Sequence, residues 1–281
     1  MVNIDPQMVK DLRERSGVGM SKCKEALVEA DGDIEKASEI LRKKGLASSI
    51  KKEGRETKEG TIVAIESDNA VSILEINTET DFVAKNEKFQ KFAQELAKQA
   101  AKTKPSSLEV FASQSYNIDP SLTIEEYRNL IIHSLGENIK ISRLQIIHKN
   151  KNSSYGIYSH MNGKILVVTE VKGSPAEEKL ARDISMHIAA ESPEYLSESD
   201  IPQNIKNKEI EIAQSQVQNK PAFVVEKIVQ GKIKAFVDQV CLLNQKYIKD
   251  NSISISQLLE KRSKEINSKL SIAGFYRWQI G

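Results

Sequence analysis

Over residues 1–45 apolar positions recur at helical spacing in three short runs separated by turn residues. Asp5-Pro6 predicts the first start: a capping acid with proline at the first helical position. Val9 and Leu12 then share a face. Gly17-Val18-Gly19 breaks the run. Ser21 is placed to cap a second helix, in which Cys23, Ala26, Leu27 and Ala30 fall at i, i+3, i+4 and i+7. Asp31-Gly32-Asp33 turns the chain again. Ile34, Ala37, Ile40 and Leu41 line a third helix, which Gly45 is expected to stop. Helices this short need one another, so the spacing predicts a small three-helix module over 1–46. Residues 47–59, A-S-S-I-K-K-E-G-R-E-T-K-E, carry little apolar content and read as a linker.

Period-two patterning follows. Thr61 to Glu66 and Val71 to Asn77 flank Ser67-Asp68-Asn69-Ala70, a hairpin signal. Phe89, Phe92, Ala93, Leu96, Ala97 and Ala100 then form one face of a strong helix. A further helix starts at Thr123, where T-I-E-E gives a capping box, and closes at Gly136. The pattern recurs: Tyr155 to His160 and Lys164 to Val171 flank Met161-Asn162-Gly163. Ser174-Pro175-Ala176-Glu177 reads as a capping box before a helix lined by Leu180, Ile184, His187 and Ile188. Two hairpin-plus-helix units suggest a duplication. They differ in one place: the first has about four extra residues between strand and helix, within T-E-T-D-F-V-A-K-N-E-K-F, Thr78 to Phe89.

The patterns Ile205 to Gln218 and Ala222 to Val240 meet at Asn219-Lys220-Pro221 and predict an antiparallel helical hairpin. A short helix around Leu258-Leu259 precedes Gly274 to Ile280, where Tyr276, Trp278 and Ile280 alternate with polar residues as in a half-buried strand. The expected class is α+β. The expected organisation is 1–46 three-helix module, 47–59 linker, 60–148 first core subdomain, 149–192 with 241–281 second core subdomain, and 193–240 inserted hairpin.

Composition narrows the function. The chain has 281 residues, with 41 Lys and Arg against 39 Asp and Glu, for a net charge of +2. That balance argues against a dedicated nucleic-acid binder, and 5% aromatic content argues against base-stacking platforms. Lys43-Lys44 and Lys51-Lys52 read as solvated pairs flanking the linker, with a weak RNA contact as the alternative. Two distant cysteines, Cys23 and Cys241, give neither a disulfide framework nor a zinc site. With no apolar leader and no run of membrane length, the reading is a soluble cytoplasmic protein.

Catalytic patterns are missing. His133, His148, His160 and His187 form no i, i+4 metal pair. His187 lies on an apolar helix face, where a satisfied core or partner-facing histidine is expected. Gly17-Val18-Gly19-Met20-Ser21-Lys22 lacks the spacing of a phosphate loop and follows no strand, so it reads as an interhelical turn. No metal, cofactor or direct nucleotide site is expected, and the protein reads as a binder rather than an enzyme.

Phe82 leaves two readings open. It precedes Phe89 by seven residues, so a helix that began early would place both in one core stripe, with Asp81 favourable in the first turn. Alternatively Asn86 caps the helix, and Asp81-Phe82 projects as an interface anchor.

The motifs carry a resemblance. T-D-F-V-A-K-N, the N-terminal R-E-R-S-G-V-G-M-S-K-C-K-E-A-L with D-G-D-I-E-K-A, and M-H-I-A-A at Met186 to Ala190 resemble signatures of the elongation factor Ts family. The resemblance runs in order along nearly the whole chain. It implies a module similar to ubiquitin-associated domains, two related core subdomains and an inserted helical hairpin. It implies a guanine-nucleotide exchange factor in translation elongation that binds elongation factor Tu, GDP-bound and nucleotide-free. The factor displaces its partner's magnesium and promotes GDP release so that GTP can bind. Thr80, Asp81, Phe82 and Val83 match the segment that enters the partner. Arg13, Met20 and His160 match secondary contacts. Some members continue past the final strand with a helical extension; this sequence ends at Gly281, so that contact is expected to be absent. The rival class is an interaction or RNA- and ribosome-associated factor, whose binding would fall steeply with salt. Oligomeric state is not legible in the sequence.

Overall fold

The computed structural model describes residues 4–217 and 221–281. Helices and strands are mixed, in an α+β architecture, and the chain divides into two compact units. The first comprises residues 1–149 with 161–164 and 279–281; the second comprises 150–160 and 165–278.

The first unit opens with α1 (Pro6–Ser16), α2 (Met20–Glu29) and α3 (Ile34–Lys52). Asp5 caps α1 by accepting from Gln7 N, and Asp33 caps α3 by accepting from Glu35 N and Lys36 N. Leu12, Cys23, Ala26, Leu27, Ala37 and Leu41 fill their core. Two expectations fail here. Ser21 does not cap α2; Gly19 holds that position, and the Ser21 hydroxyl donates to Glu25 instead. Gly45 does not stop α3, which runs seven residues further into the expected linker. The reason is packing: a Cβ on Gly45 would stand 3.3 Å from the Asn129 carbonyl oxygen, so the glycine lets α3 lie close on a second helix. The helix therefore continues as long as it has a surface to cover. The core of the three helices also takes in Leu122 and Leu130 from beyond the linker.

After α3 come β1 (Glu59–Glu66), β2 (Ala70–Thr78), α4 (Asp81–Ala84), α5 (Glu87–Thr103), α6 (Leu108–Ser113), α7 (Ile124–Leu135) and β3 (Ile139–His148). The strands form one antiparallel sheet in the order β1-β2-β3, with Glu59 opposite Thr78 and Thr78 opposite Ile139. Helix α5 lays Phe89, Phe92, Ala93, Leu96, Ala97 and Ala100 into the core with Leu74, Ile76, Ile131 and Ile132. The capping box at Thr123 forms, with Thr123 and Glu126 serving each other's backbone amides. Gly136 ends α7 at φ 86°, a left-handed conformation that suits a residue without Cβ.

The second unit holds β4 (Ser153–His160), β5 (Ile165–Lys172), α8 (Glu178–Glu191), a 3-10 turn (Glu198–Asp200), α9 (Gln203–Ser215), α10 (Ala222–Val240), β6 (Lys246–Tyr247), β7 (Asp250–Ser254), α11 (Ile255–Glu265) and β8 (Ser271–Gln279). Its main sheet runs β4-β5-β8, and β6-β7 form a small ribbon. Val167, Val171, Ala181, Ile184, Ile188, Ile255, Leu259 and Ile272 make the core. The expected capping box at Ser174 does not form. Both carboxylate oxygens of Glu177 are taken by Arg262, at 2.9 and 3.0 Å, so that acid cannot reach back to the Ser174 amide. The helix starts at Glu178 instead, beyond Pro175. Helices α9 and α10 pack together at their base through Ile205, Ile233, Phe236 and Val237. Gln218, the expected end of the earlier helix, lies outside the described residues, as do Asn219 and Lys220 of the expected turn.

Candidate partner interface

The four extra residues of the first unit are α4 itself. Thr80 has extended backbone, φ −124° and ψ 156°, and its hydroxyl accepts from Val83 N. Lys85 N and Asn86 N close the turn on the Asp81 and Val83 carbonyls. Asn86 then resets the chain to extended backbone and caps α5 by accepting from Lys88 N. Gln90 ties the two helices by donating to the Ala84 carbonyl at 2.6 Å. One turn of helix has little stability of its own, so these flanking bonds hold it.

That turn sorts its side chains. Ala84 is buried and Val83 packs on the Phe89 core. Phe82 faces solvent and is 83% exposed. The early-helix reading of Phe82 therefore fails: the Asn86 cap breaks the helical phase between Phe82 and Phe89. Asp81 sits beside it in an i, i+4 pair with Lys85 at 2.6 Å. The Lys85 bond, aided by the Lys85 and Lys164 charges, holds the Asp81 carboxyl below the usual carboxylate range against the cost of desolvation. Asp81 is thus an anion at neutral pH, next to an aromatic ring in water.

The root of the turn is held by the residues after α7. Glu137 Oε2 accepts from the Thr78 hydroxyl at 2.9 Å and from Thr80 N at 3.0 Å, and its Oε1 accepts from the Thr80 hydroxyl at 2.6 Å. In return Glu79 Oε1 accepts from Asn138 N at 2.6 Å. The buried Asn138 amide donates to the Glu53 and Arg55 carbonyls at the end of α3. Glu137 and Asn138 had no signal in the sequence. An acid after a helix-ending glycine is unremarkable until the pairing of β2 with β3 brings it to Thr80.

The three N-terminal helices are fixed to α7 by polar ties. Arg42 pairs with Glu126 at 2.5 Å and Lys22 donates to the His133 carbonyl, both on α7, while Lys88 joins α5 to α7 by donating to the Ser134 hydroxyl at 2.6 Å. Desolvation pulls the Lys88 ammonium down, and the nearby Arg13 and Lys22 charges pull it further. Arg13 is exposed in the last turn of α1, and Met20 opens α2 at 57% exposure. Both belong to the unit that carries Phe82. Lys52 is not simply solvated: desolvation and then the Arg55 and Lys22 charges lower it, and its ammonium donates to the Ser48 hydroxyl.

His160 belongs to the second unit, where it is exposed at the end of β4 with Nδ1 3.3 Å from the Tyr158 hydroxyl. His187 is fully buried, with both ring nitrogens hydrogen-bonded to this chain. Among the described residues no cluster of His, Cys, Asp and Glu could hold a metal ion, and no helix is long and apolar enough to cross a membrane.

An aromatic and an anion offered to solvent from a braced turn, beside a docked three-helix module, are the equipment of a protein that works by docking on another macromolecule. The model of the family described as Elongation factor TS matches residues 79–281. The chain is 52% identical to Elongation factor Ts of Protochlamydia amoebophila (strain UWE25) over 281 residues, all of both chains. It is 43% identical, again over all of both chains, to the Elongation factor Ts proteins of Chlamydia muridarum and Chlamydia caviae. The chain belongs to the elongation factor Ts family of translation elongation factors.

Proposed function

We propose that this protein is a guanine-nucleotide exchange factor that binds elongation factor Tu with GDP and drives out the magnesium ion on which tight nucleotide binding depends. The observation that carries the reading is Phe82, a large apolar side chain held 83% exposed on a turn capped at both ends. Leaving such a ring in water has no use for the free protein, whereas aromatic anchors dominate binding energies once they enter a pocket.

The partner holds its nucleotide through a phosphate loop and a magnesium ion bridging phosphate oxygens. Magnesium requires near-ideal octahedral geometry at about 2.0–2.1 Å. Phe82 wedges between packed elements of the partner and displaces the groups that order the ion and its waters. Asp81 adds a negative charge and hydrogen-bond acceptors that draw the partner's polar groups out of place. Thr80 and Val83 hold the turn at its start and on its core side. Arg13, Met20 and His160 supply secondary contacts. No bond is made or broken, so the protein acts catalytically without being an enzyme of bond chemistry.

Linkage sets the cycle. A factor that weakens nucleotide binding is itself weakened by nucleotide to the same extent, so incoming GTP displaces it. Release of a fluorescent GDP from preloaded elongation factor Tu, followed with and without this protein, tests the reading. Acceleration that saturates with protein concentration is expected. An unchanged release rate, with binding that falls steeply as salt rises, would replace it with the interaction-factor reading.

A further inference from the structure

We propose that Glu137 is a positioning residue for exchange: its carboxylate sets the geometry from which Phe82 is presented. The inference rests on the reading of Phe82 as the wedge. The geometry is a directed relay. Thr80 has one hydroxyl proton, and donation to Glu137 Oε1 at 2.6 Å commits it. The hydroxyl lone pairs are then turned to the Val83 amide, which donates at 3.3 Å. The same carboxylate takes Thr80 N and the Thr78 hydroxyl through Oε2. Three donors on one anion fix Thr78, the last residue of β2, and Thr80, the N-cap of α4. Charge-assisted bonds are shorter and about twice as strong as neutral ones, and an isolated turn needs such support.

Position adds a second role. Glu137 is flanked by Gly136, whose left-handed backbone ends α7, and by Asn138, which holds the Glu53 and Arg55 carbonyls beyond α3. The segment that sets Phe82 is therefore the one that also anchors the end of the N-terminal helices. A partner gripping Arg13 and Met20 meets Phe82 from a fixed base rather than through a flexible linker.

The test measures GDP release from elongation factor Tu with wild-type protein, Glu137→Ala, Glu137→Gln, Phe82→Ala and the double variant Glu137→Ala/Phe82→Ala, with amide exchange of Thr80 and Val83 read by NMR. Glu137→Gln keeps the size of the side chain but sets an NH2 group against at least one of the three donors, so it serves if the alanine variant unfolds. Expected are faster amide exchange at Thr80 and Val83, a loss of acceleration of about tenfold in each Glu137 variant, and a double variant no slower than Phe82→Ala. Losses that multiply in the double variant would overturn the inference, because Glu137 would then act apart from Phe82. So would Glu137 variants as active as the wild type while Phe82→Ala is impaired. Full activity in Phe82→Ala would overturn the wedge reading and this inference with it.

Discussion

Phe82 and Phe89, seven residues apart, lie on opposite sides of the protein's boundary: the first is 83% exposed and the second has no exposed surface. The Asn86 cap between them makes the difference. Truncating each ring should therefore have opposite consequences. Phe89→Ala should lose about 3–5 kcal/mol of stability by opening a core cavity. Phe82→Ala should leave stability within about 0.5 kcal/mol, as for other exposed sites, and lose its effect on the partner. Urea unfolding of both variants checks this.

Gly156 on β4 should tolerate no side chain. A Cβ there would fall 2.1 Å from the Ala181 carbonyl carbon on α8, backbone against backbone. Neither element can yield as a flexible side chain would. Gly156→Ala should destabilise the second unit by about 3 kcal/mol or more, the upper end for overpacking. Thermal unfolding with probes in each unit would show the loss, and an unchanged transition would contradict the close packing.

Glu126 joins two functions, the cap of α7 and the pair with Arg42 of α3. Burial raises its carboxyl, but the Arg42 bond, the Thr123 amide and the Arg42 charge together bring it below the ordinary value. A carboxyl lower in the folded state gives stability that is present above its unfolded value and is lost as pH falls through the folded one. Glu126→Ala should cost about 1–2 kcal/mol at pH 7, through the lost Arg42 pair and the lost acceptor for Thr123 N. The difference from wild type should shrink in acid, as chemical unfolding at pH 7 and pH 3 would show.

His187 predicts a different acid response. Its Nδ1 accepts from Ile248 N at 3.2 Å, so the proton lies on Nε2 and is donated to Gln245 Oε1 at 3.0 Å. Burial lowers the imidazole below its ordinary value of 6.5, against smaller raising effects from the Gln245 bond and the Glu191 charge. Tyr247 is the other titratable ring against it. Protonation would break the Ile248 bond. The unfolded chain takes up the proton first, so stability is full above about pH 6.5 and falls as pH drops toward the folded value. His187→Gln should flatten that part of the pH–stability curve, and NMR titration of the ring would place the folded value.

Much of the fold was legible because periodicity is strong where one face is buried. The stripe from Phe89 to Ala100, the Thr123 box and the Cys23–Ala30 face all match the structure. The Ser21 cap was lost to a near neighbour, Glu25, but two other failures came where distant residues intervened. Gly45 looked like a stop because its neighbour Asn129 is far away in sequence, and Glu177 looked like a cap because Arg262 is. The strand β3 and the helix α6 were not anticipated, and neither was the hold of Glu137 on Thr80. Of the candidate site, the break in phase at Asn86 could be read from residue types. Whether Phe82 projected could not, since its spacing from Phe89 also fits a continuous helix.

The central claim is that Phe82 acts by dislodging the partner's magnesium, and one measurement addresses it directly. Release of fluorescent GDP from elongation factor Tu would be followed for wild-type protein and Phe82→Ala, in magnesium and with the ion chelated. The account predicts a loss of at least about tenfold in acceleration for Phe82→Ala in magnesium, and a much smaller difference once the ion is gone, because nothing is left to dislodge. Equal acceleration by both proteins in magnesium, or a deficit of the same size after chelation, would contradict it.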